Sequence, residues 1–384
     1  MWKALAANAL TVFIVLLAGA ALTLNWAQRE YRGAGPLSSA VCVQVASGAT
    51  MGVVSRDLVE QGAVSNGALF RMGADYAKKS GQLKAGNFLI QPGTSMEAII
   101  ETITRSGRST CGTELNYRIG VLRPSIVVRE FDPATGRYED VMSFVPGQED
   151  TPPDYEAVAG APDVRFRVTL SEGVTSWEVV EALKVASFLE GPLGAVPSEG
   201  SLAPDSYEVR RGDDRAELIA QMESRQARIL ADLWAARRQD VPLQSPQEAL
   251  VLASIVEKET AVAEERGQVA SVFVNRLNQG IRLQTDPTVI YGITNGQGTL
   301  GRGLRRSELR GATPYNTYVI DGLPPTPIAN PGVESIRAAL NPDDTDFLFF
   351  VADGTGGHAF ARTLAEHNSN VAKWRAIERA RAQE

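Results

Sequence analysis

This 384-residue chain has only two cysteines, Cys42 and Cys111, and two histidines, His358 and His367. A zinc site needs three or four such ligands close together, and these four are scattered, so no metal is expected. There is no G-x-x-x-x-G-K-[ST] phosphate loop, and Gly296-Gln297-Gly298 is too short for a dinucleotide fingerprint. Positive charge is in deficit: 38 Lys and Arg against 45 Asp and Glu leave a net charge of −7. A partner bound by phosphate neutralisation is therefore a poor fit, which argues against nucleic acid. What remains is ordinary for a globular protein, with 44% hydrophobic and 22% charged residues and length for two or three domains.

The N-terminus is apolar. No charge occurs from Ala4 to Gln28, and Leu5 to Leu24 supplies the roughly 20 residues that cross a bilayer as a helix. Trp2 and Trp26 stand where interfacial aromatics belong. Residues 1–30 thus read as a cytoplasmic tip and an uncleaved anchor. A signal peptide cleaved near Ala18-Gly19-Ala20 is the alternative, and the apolar run continues past that point. Lys3 on one side and Arg29 and Arg32 on the other orient the span weakly. The exported character of the chain beyond the span places the N-terminus in the cytoplasm.

Residues 38–112 read as a small α/β domain. Val41–Val45 and Gly86–Ile90 have strand character, and helical patterns cover about Met51–Gln61 and Gly67–Ser80, with another opening at Gly93-Thr94. Cys42 and Cys111 flank this domain. A bridge between them would persist only in an oxidising compartment, and two free thiols are the other reading. Gly48-Ala49-Thr50, Gly93-Thr94-Ser95 and Gly173-Val174-Thr175 share one pattern: glycine, a hydroxyl residue two later, then apolar residues at helical offsets. This predicts a reused strand–turn–helix start signal, with capping boxes at Thr94/Glu97 and Thr175/Glu178. From Leu122 to Val164, Asp, Glu, Pro and Gly become frequent, so 113–164 reads as a polar linker or insertion. Folded structure is expected to resume at 165–384, with strand Phe166–Leu170 and a helical stretch from about Arg215 to Arg238.

Ser245-Pro246-Gln247-Glu248 is a strong helix start, and the helix it opens is apolar until charges appear abruptly at Glu257, Lys258 and Glu259. Glu259 shares a face with Val256, Ile255 and Leu252. A carboxyl there loses hydration and stays protonated near neutral pH, as a general acid requires. Glu257 lies about 200° around the helix, beside smaller residues, and suits a salt bridge or supporting role. On spacing alone, two glutamates solvating a helix end explain the pattern at least as well.

Ala253-Ser254-Ile255-Val256-Glu257-Lys258-Glu259-Thr260-Ala261 is followed by Val269–Leu277, Arg282–Gly292, Pro314-Tyr315-Asn316-Thr317-Tyr318, Gly322-Leu323-Pro324-Pro325, Phe350–Gly354, Gly357-His358 and His367-Asn368. From about Gly200 to Asn368 these segments closely resemble the endolytic murein transglycosylase (YceG-like) family. The resemblance implies an α+β protein with a single transmembrane helix, a LysM-like unit at 38–112 and a mixed helix-and-sheet catalytic domain at 165–384, with its core at 200–370. It implies a periplasmic enzyme on the inner membrane, with Glu259 as the catalytic glutamate. The stretch 122–164 departs from the pattern in its length. A looser likeness to other lytic transglycosylases implies that Gln284, Tyr315 and Asn316 line a sugar cleft, with loop hydrogen bonding as their alternative. Asp286, before Pro287, reads as a cap or turn.

The implied activity is a lyase reaction on peptidoglycan: cleavage between N-acetylmuramic acid and N-acetylglucosamine in nascent strands, leaving 1,6-anhydro ends and terminating elongation. No cofactor is implied. The implied partners are glycan strands, the inner membrane and wall synthases (penicillin-binding proteins). Two rivals stand beside it: a hydrolytic muramidase with Asp286 or Glu257 positioning water, and a non-catalytic wall-binding or division scaffold.

Overall fold

A computed structural model of the chain describes residues 2–105, 109–161 and 163–381, with backbone alone for 2–9. Ser106, near the end of the predicted small domain, and the side chains of Trp2 and Lys3 lie outside the described residues. The architecture is mixed helix and sheet, as expected. It opens with α1 (Trp2–Arg32), whose segment Leu10–Arg32 is long and apolar enough to cross a membrane. Next come β1 (Val41–Val45), α2 (Met51–Glu60), α3 (Gly67–Tyr76), β2 (Gly86–Ile90), α4 (Met96–Arg105), β3 (Thr113–Ile119), β4 (Pro124–Asp132) and β5 (Arg137–Phe144). The middle of the chain adds α5 (Tyr155–Gly160), β6 (Arg165–Leu170), α6 (Ser176–Lys184), β7 (Ser206–Val209) and α7 (Arg215–Ala235). Last are α8 (Pro246–Glu259), α9 (Arg266–Asn278), α10 (Asp286–Thr294), α11 (Val333–Leu340), β8 (Phe349–Ala352), β9 (His358–Ala361) and α12 (Leu364–Arg381). One sheet runs β5-β4-β3-β6-β7, and β1–β2 and β8–β9 are antiparallel pairs.

The chain divides into two compact units. The first comprises Met1–Leu115, Val127–Ser143 and Thr151–Arg165. Its core is built where β1 and β2 present Val43, Val45, Phe88 and Ile90 to one face of α4, whose Met96, Ile99, Ile100 and Ile103 recur at helical spacing. A disulfide joins Cys42 in β1 to Cys111. The second unit comprises Asn116–Ile126, Phe144–Asp150 and Phe166–Glu384.

The repeated start signal has a physical basis. Gly48, Gly93 and Gly173 all have φ between +70° and +78°, the left-handed turn that a side chain resists. Two residues on, Thr50, Ser95 and Thr175 each accept the backbone N–H three residues later and so cap α2, α4 and α6. Glu178 completes the capping box at Thr175. The box expected at Thr94/Glu97 does not form: α4 begins one residue later, Ser95 takes the cap, and the Thr94 hydroxyl donates to Gln91 O at 2.7 Å.

The stretch 122–164, expected as a polar linker or insertion, carries β4, β5 and α5. Its Asp-Pro-x-x-Gly run is the turn between two strands. Asp132 accepts from Ala134 N at 2.8 Å and, through its carbonyl, from Gly136 N at 2.9 Å, with Gly136 at φ +68°. The turn residues dominated the composition and hid the apolar Ile126-Val127-Val128 of the adjoining strand, all three buried.

In the second unit α8 packs against α7, α9, α10 and α11. Ser245 caps it, accepting from Glu248 N at 3.2 Å, and Glu248 reaches back to Gln244 N at 2.7 Å. Every residue from Ala249 to Val256 is buried. Ser245→Ala should therefore lower unfolding stability by about 1 kcal/mol, read by denaturant titration. No change would mean that packing alone sets the start of α8.

Candidate active site

The buried helix α8 surfaces at its C-terminus, where Glu257, Lys258 and Glu259 are all half-buried. Glu257 turns away from Glu259, and its Oε2 accepts the N–H of Gly332 at 3.0 Å. Glu259 opens into a cleft of about 190 Å³ that it shares with Phe273, Arg276, Gln284, Thr285, Asp286, Tyr318 and others.

Several groups set the state of the Glu259 carboxyl. Burial raises its pKa, a hydrogen bond from the Thr285 hydroxyl opposes that rise, the Asp286 carboxylate adds to it, and His358 and Arg276 oppose it more weakly. The balance is upward. The negative end of the α8 dipole acts in the same direction.

The loop between α9 and α10 fixes that hydrogen bond. Thr285 N donates to Thr317 Oγ1 at 3.0 Å, Gln284 N donates to Thr317 O at 3.1 Å, and Thr288 Oγ1 donates to Thr285 O at 2.8 Å. Thr285, Thr288 and Thr317 are buried, so this hydroxyl cluster cannot exchange its partners for water. Gln284 sits at φ +52°, a left-handed position that costs a non-glycine residue about 1–2 kcal/mol. Gln284 is exposed on the cleft rim, while Thr285 is buried beneath it.

Arg276, on α9, is buried beside Glu259. Its Nε donates to Leu348 O at 2.6 Å, its Nη1 to Leu283 O at 2.8 Å, and its guanidinium lies 5.2 Å from the Phe349 ring centroid. Burial lowers its pKa, yet a guanidinium stays charged at any ordinary pH. Tyr318 donates to Asp286 Oδ1 at 2.7 Å, which keeps Asp286, the first residue of α10, on the cleft wall. His358 on β9 binds Glu265 through Nδ1 at 2.7 Å.

Of the residues singled out in the sequence, Glu259 and Gln284 meet in the cleft. Tyr315 and Asn316 are not among the residues that line it. Asn316 is fully buried, donates to Glu308 O and Gly311 O at 3.1 and 2.7 Å, and accepts Tyr318 N at 3.0 Å. It braces the loop that delivers Tyr318. Tyr315 hydrogen-bonds Thr326 at 2.7 Å and packs against Tyr291. Both therefore fit the loop-bonding alternative. Sequence reasoning missed Arg276, Thr285 and Tyr318 as cleft residues. For Arg276 a signal was available: a charge on the apolar α9.

The cleft thus brings a carboxyl whose pKa is raised by burial beside a fixed cation, on a mixed helix-and-sheet scaffold. The chain belongs to the YceG-like family, whose model matches residues 155–373. It is 28% identical to the endolytic murein transglycosylase of Bacillus subtilis (strain 168), over 87% of this chain and 84% of that one. It is 27% identical to the endolytic murein transglycosylase of Streptococcus pneumoniae serotype 2, over 87% of this chain, and spans 58% of that relative's length. A crystal structure of a yceG-like protein from Listeria monocytogenes aligns with 86% of this chain and 99% of its own at 24% identity, with a TM-score of 0.45.

Proposed function

We propose that this protein is a lytic transglycosylase that cuts peptidoglycan strands internally, between N-acetylmuramic acid and N-acetylglucosamine, and leaves 1,6-anhydro ends. The observation that carries this reading is the Glu259 carboxyl, raised in pKa by burial at the end of α8 and held by Thr285. Glu259 donates its proton to the glycosidic oxygen as the bond to muramic C1 breaks. The resulting carboxylate takes the proton of the muramic C6 hydroxyl, whose oxygen bonds to C1. One group serves as acid and then base, and water does not enter. Gln284, exposed at the rim, would hydrogen-bond sugar hydroxyls.

The murein transglycosylase names of the two relatives support the substrate class. The apolar helix Leu10–Arg32 supports anchoring in the inner membrane. The Cys42–Cys111 disulfide supports a periplasmic location for the chain beyond that helix, since such a bond persists in an oxidising compartment. At the membrane such an enzyme meets nascent strands beside the wall synthases and ends their elongation. Digestion of isolated peptidoglycan by the detergent-solubilised chain tests the activity: fragments ending in anhydro-muramic acid are expected, and intact strands would refute it.

Asp286, on the wall of the same cleft, favours one second reading, hydrolysis with Asp286 orienting water. Products from that route carry reducing ends, one water heavier.

Thr285→Val removes the donor that opposes the rise in the Glu259 pKa. The acid form must be present in the free enzyme, so kcat/KM falls as pH passes above that pKa. The falling limb of the kcat/KM–pH profile should move to higher pH in Thr285→Val. A limb that stays in place would assign it to another group.

A further inference from the structure

The reaction cleft holds about 190 Å³, below the range of about 300–1,000 Å³ typical of ligand sites, so the substrate must extend beyond it. A second cavity of about 330 Å³ begins one residue away on each of the two helices that frame the reaction. On α8, Glu259 faces the cleft and Lys258 faces the second cavity. On α10, Asp286 faces the cleft while Pro287, Ile290 and Tyr291 face the cavity. The first turns of α10 thus separate the two.

The chemistry of this cavity differs from that of a sugar site. Val121, Ile290, Leu300 and Ile328 make part of it apolar. Lys258 Nζ donates to Gly173 O at 3.2 Å and has further N–H donors to offer a ligand. Glu178 also lines it, but its carboxylate caps Thr175 N at 2.9 Å, where the α6 N-terminus offsets its charge. Glu199, against the Gly296 edge, has its pKa raised by burial, which favours the neutral form. Arg302 lines the far side and pairs with Glu308. The segment from Arg302 to Arg310 carries Arg302, Arg305, Arg306 and Arg310 against the single Glu308, in a chain whose net charge is −7. Arg305, Arg306 and Arg310 are exposed. The result is a partly apolar cavity with an ammonium in its wall, joined in sequence at Arg302 to an exposed, arginine-rich segment.

We propose that this cavity is a subsite for the peptide stem that muramic acid carries, with Lys258 meeting a stem carboxylate and the Arg302–Arg310 segment drawing the anionic peptide in. Small aliphatic side chains and carboxylates on one short chain match both halves of the cavity. A muramic ring in the cleft would hand its lactyl-linked peptide across α10. This rests on the transglycosylase reading above, and it makes peptide-bearing strands the preferred substrate.

The test compares two substrates for the full chain in detergent: glycan strands with their stems, and the same strands after an amidase has removed them. The wild type should favour the peptide-bearing strands in kcat/KM by on the order of tenfold, the contribution of a charge-assisted contact. Lys258→Gln should bring that ratio close to one, and Lys258→Arg should retain most of it. If Lys258→Gln folds poorly, Arg305→Gln with Arg306→Gln, at exposed positions, should lower the same ratio by roughly two- to threefold. Equal rates on both substrates in the wild type, or a ratio that Lys258→Gln leaves unchanged, would overturn the subsite while leaving the activity intact. Cleavage of neither substrate would overturn the activity, and the subsite with it.

Discussion

Glu259→Gln should lower strand cleavage by about a thousandfold or more and should leave the fold at least as stable as before at neutral pH. The amide keeps the shape of the carboxyl and can still accept from Thr285, but it can neither donate the acid proton nor accept the C6 one. The stability half of the prediction has a defined pH dependence. The Glu259 pKa is raised in the folded chain, mainly by burial. Below the unfolded carboxylate pKa, both states hold the proton and the buried group costs nothing. As pH climbs from there through the folded pKa, the unfolded state ionises first and wild-type stability falls; above the folded pKa the loss levels off. The melting temperature of Glu259→Gln should therefore match the wild type near about pH 4 and exceed it by a growing margin toward neutrality. Scanning calorimetry across that range reads the difference. A margin that shrinks with pH would mean that the carboxylate is stabilised in the fold, and the acid role would lose its physical basis.

Replacing Cys42 and Cys111 by serine should destabilise the first unit by about 4 kcal/mol at most, and by about 2 kcal/mol if the unfolded chain is already compact. The bond spans a sequence separation of 69, so its loss frees a long loop in the unfolded state. Cys42 lies in β1, opposite Leu89 of β2, in a pair with only two strands. Such a pair is marginal without help from packing or a crosslink. Hydrogen exchange at the β1 and β2 amides, with and without reductant, measures the effect. Protection that survives reduction would show that α4 and the apolar core suffice.

How much of this could be read from the sequence varies from residue to residue. The burial of Glu259 was legible because α8 is apolar from Ala249 to Val256 and its charges begin abruptly, although that spacing alone left a solvated helix end equally open and only the family resemblance decided for catalysis. The helix starts at Thr50, Ser95, Thr175 and Ser245 were legible because capping is local chemistry, apart from the one-residue slip at Thr94. The cleft's other walls were not, because Thr285, Tyr318 and Arg276 meet Glu259 only through tertiary packing. Asn316 shows the converse: its motif pointed to the cleft, while its polar atoms are taken by Glu308 O, Gly311 O and Tyr318 N. Strand β4 was hidden because composition averaged over the Asp132–Gly136 turn outweighs its short run Ile126–Val128, and β5 because it is mostly exposed and carries Arg137, Glu139 and Asp140.

In the proposed mechanism one carboxyl, that of Glu259, completes the reaction with no water. Digesting peptidoglycan in water enriched in oxygen-18, with mass analysis of the new muramic ends, tests it most directly. Anhydro ends that carry no label are expected. Reducing ends with one heavy oxygen at C1 would contradict it and make the protein a hydrolase, with Asp286 the first residue to suspect.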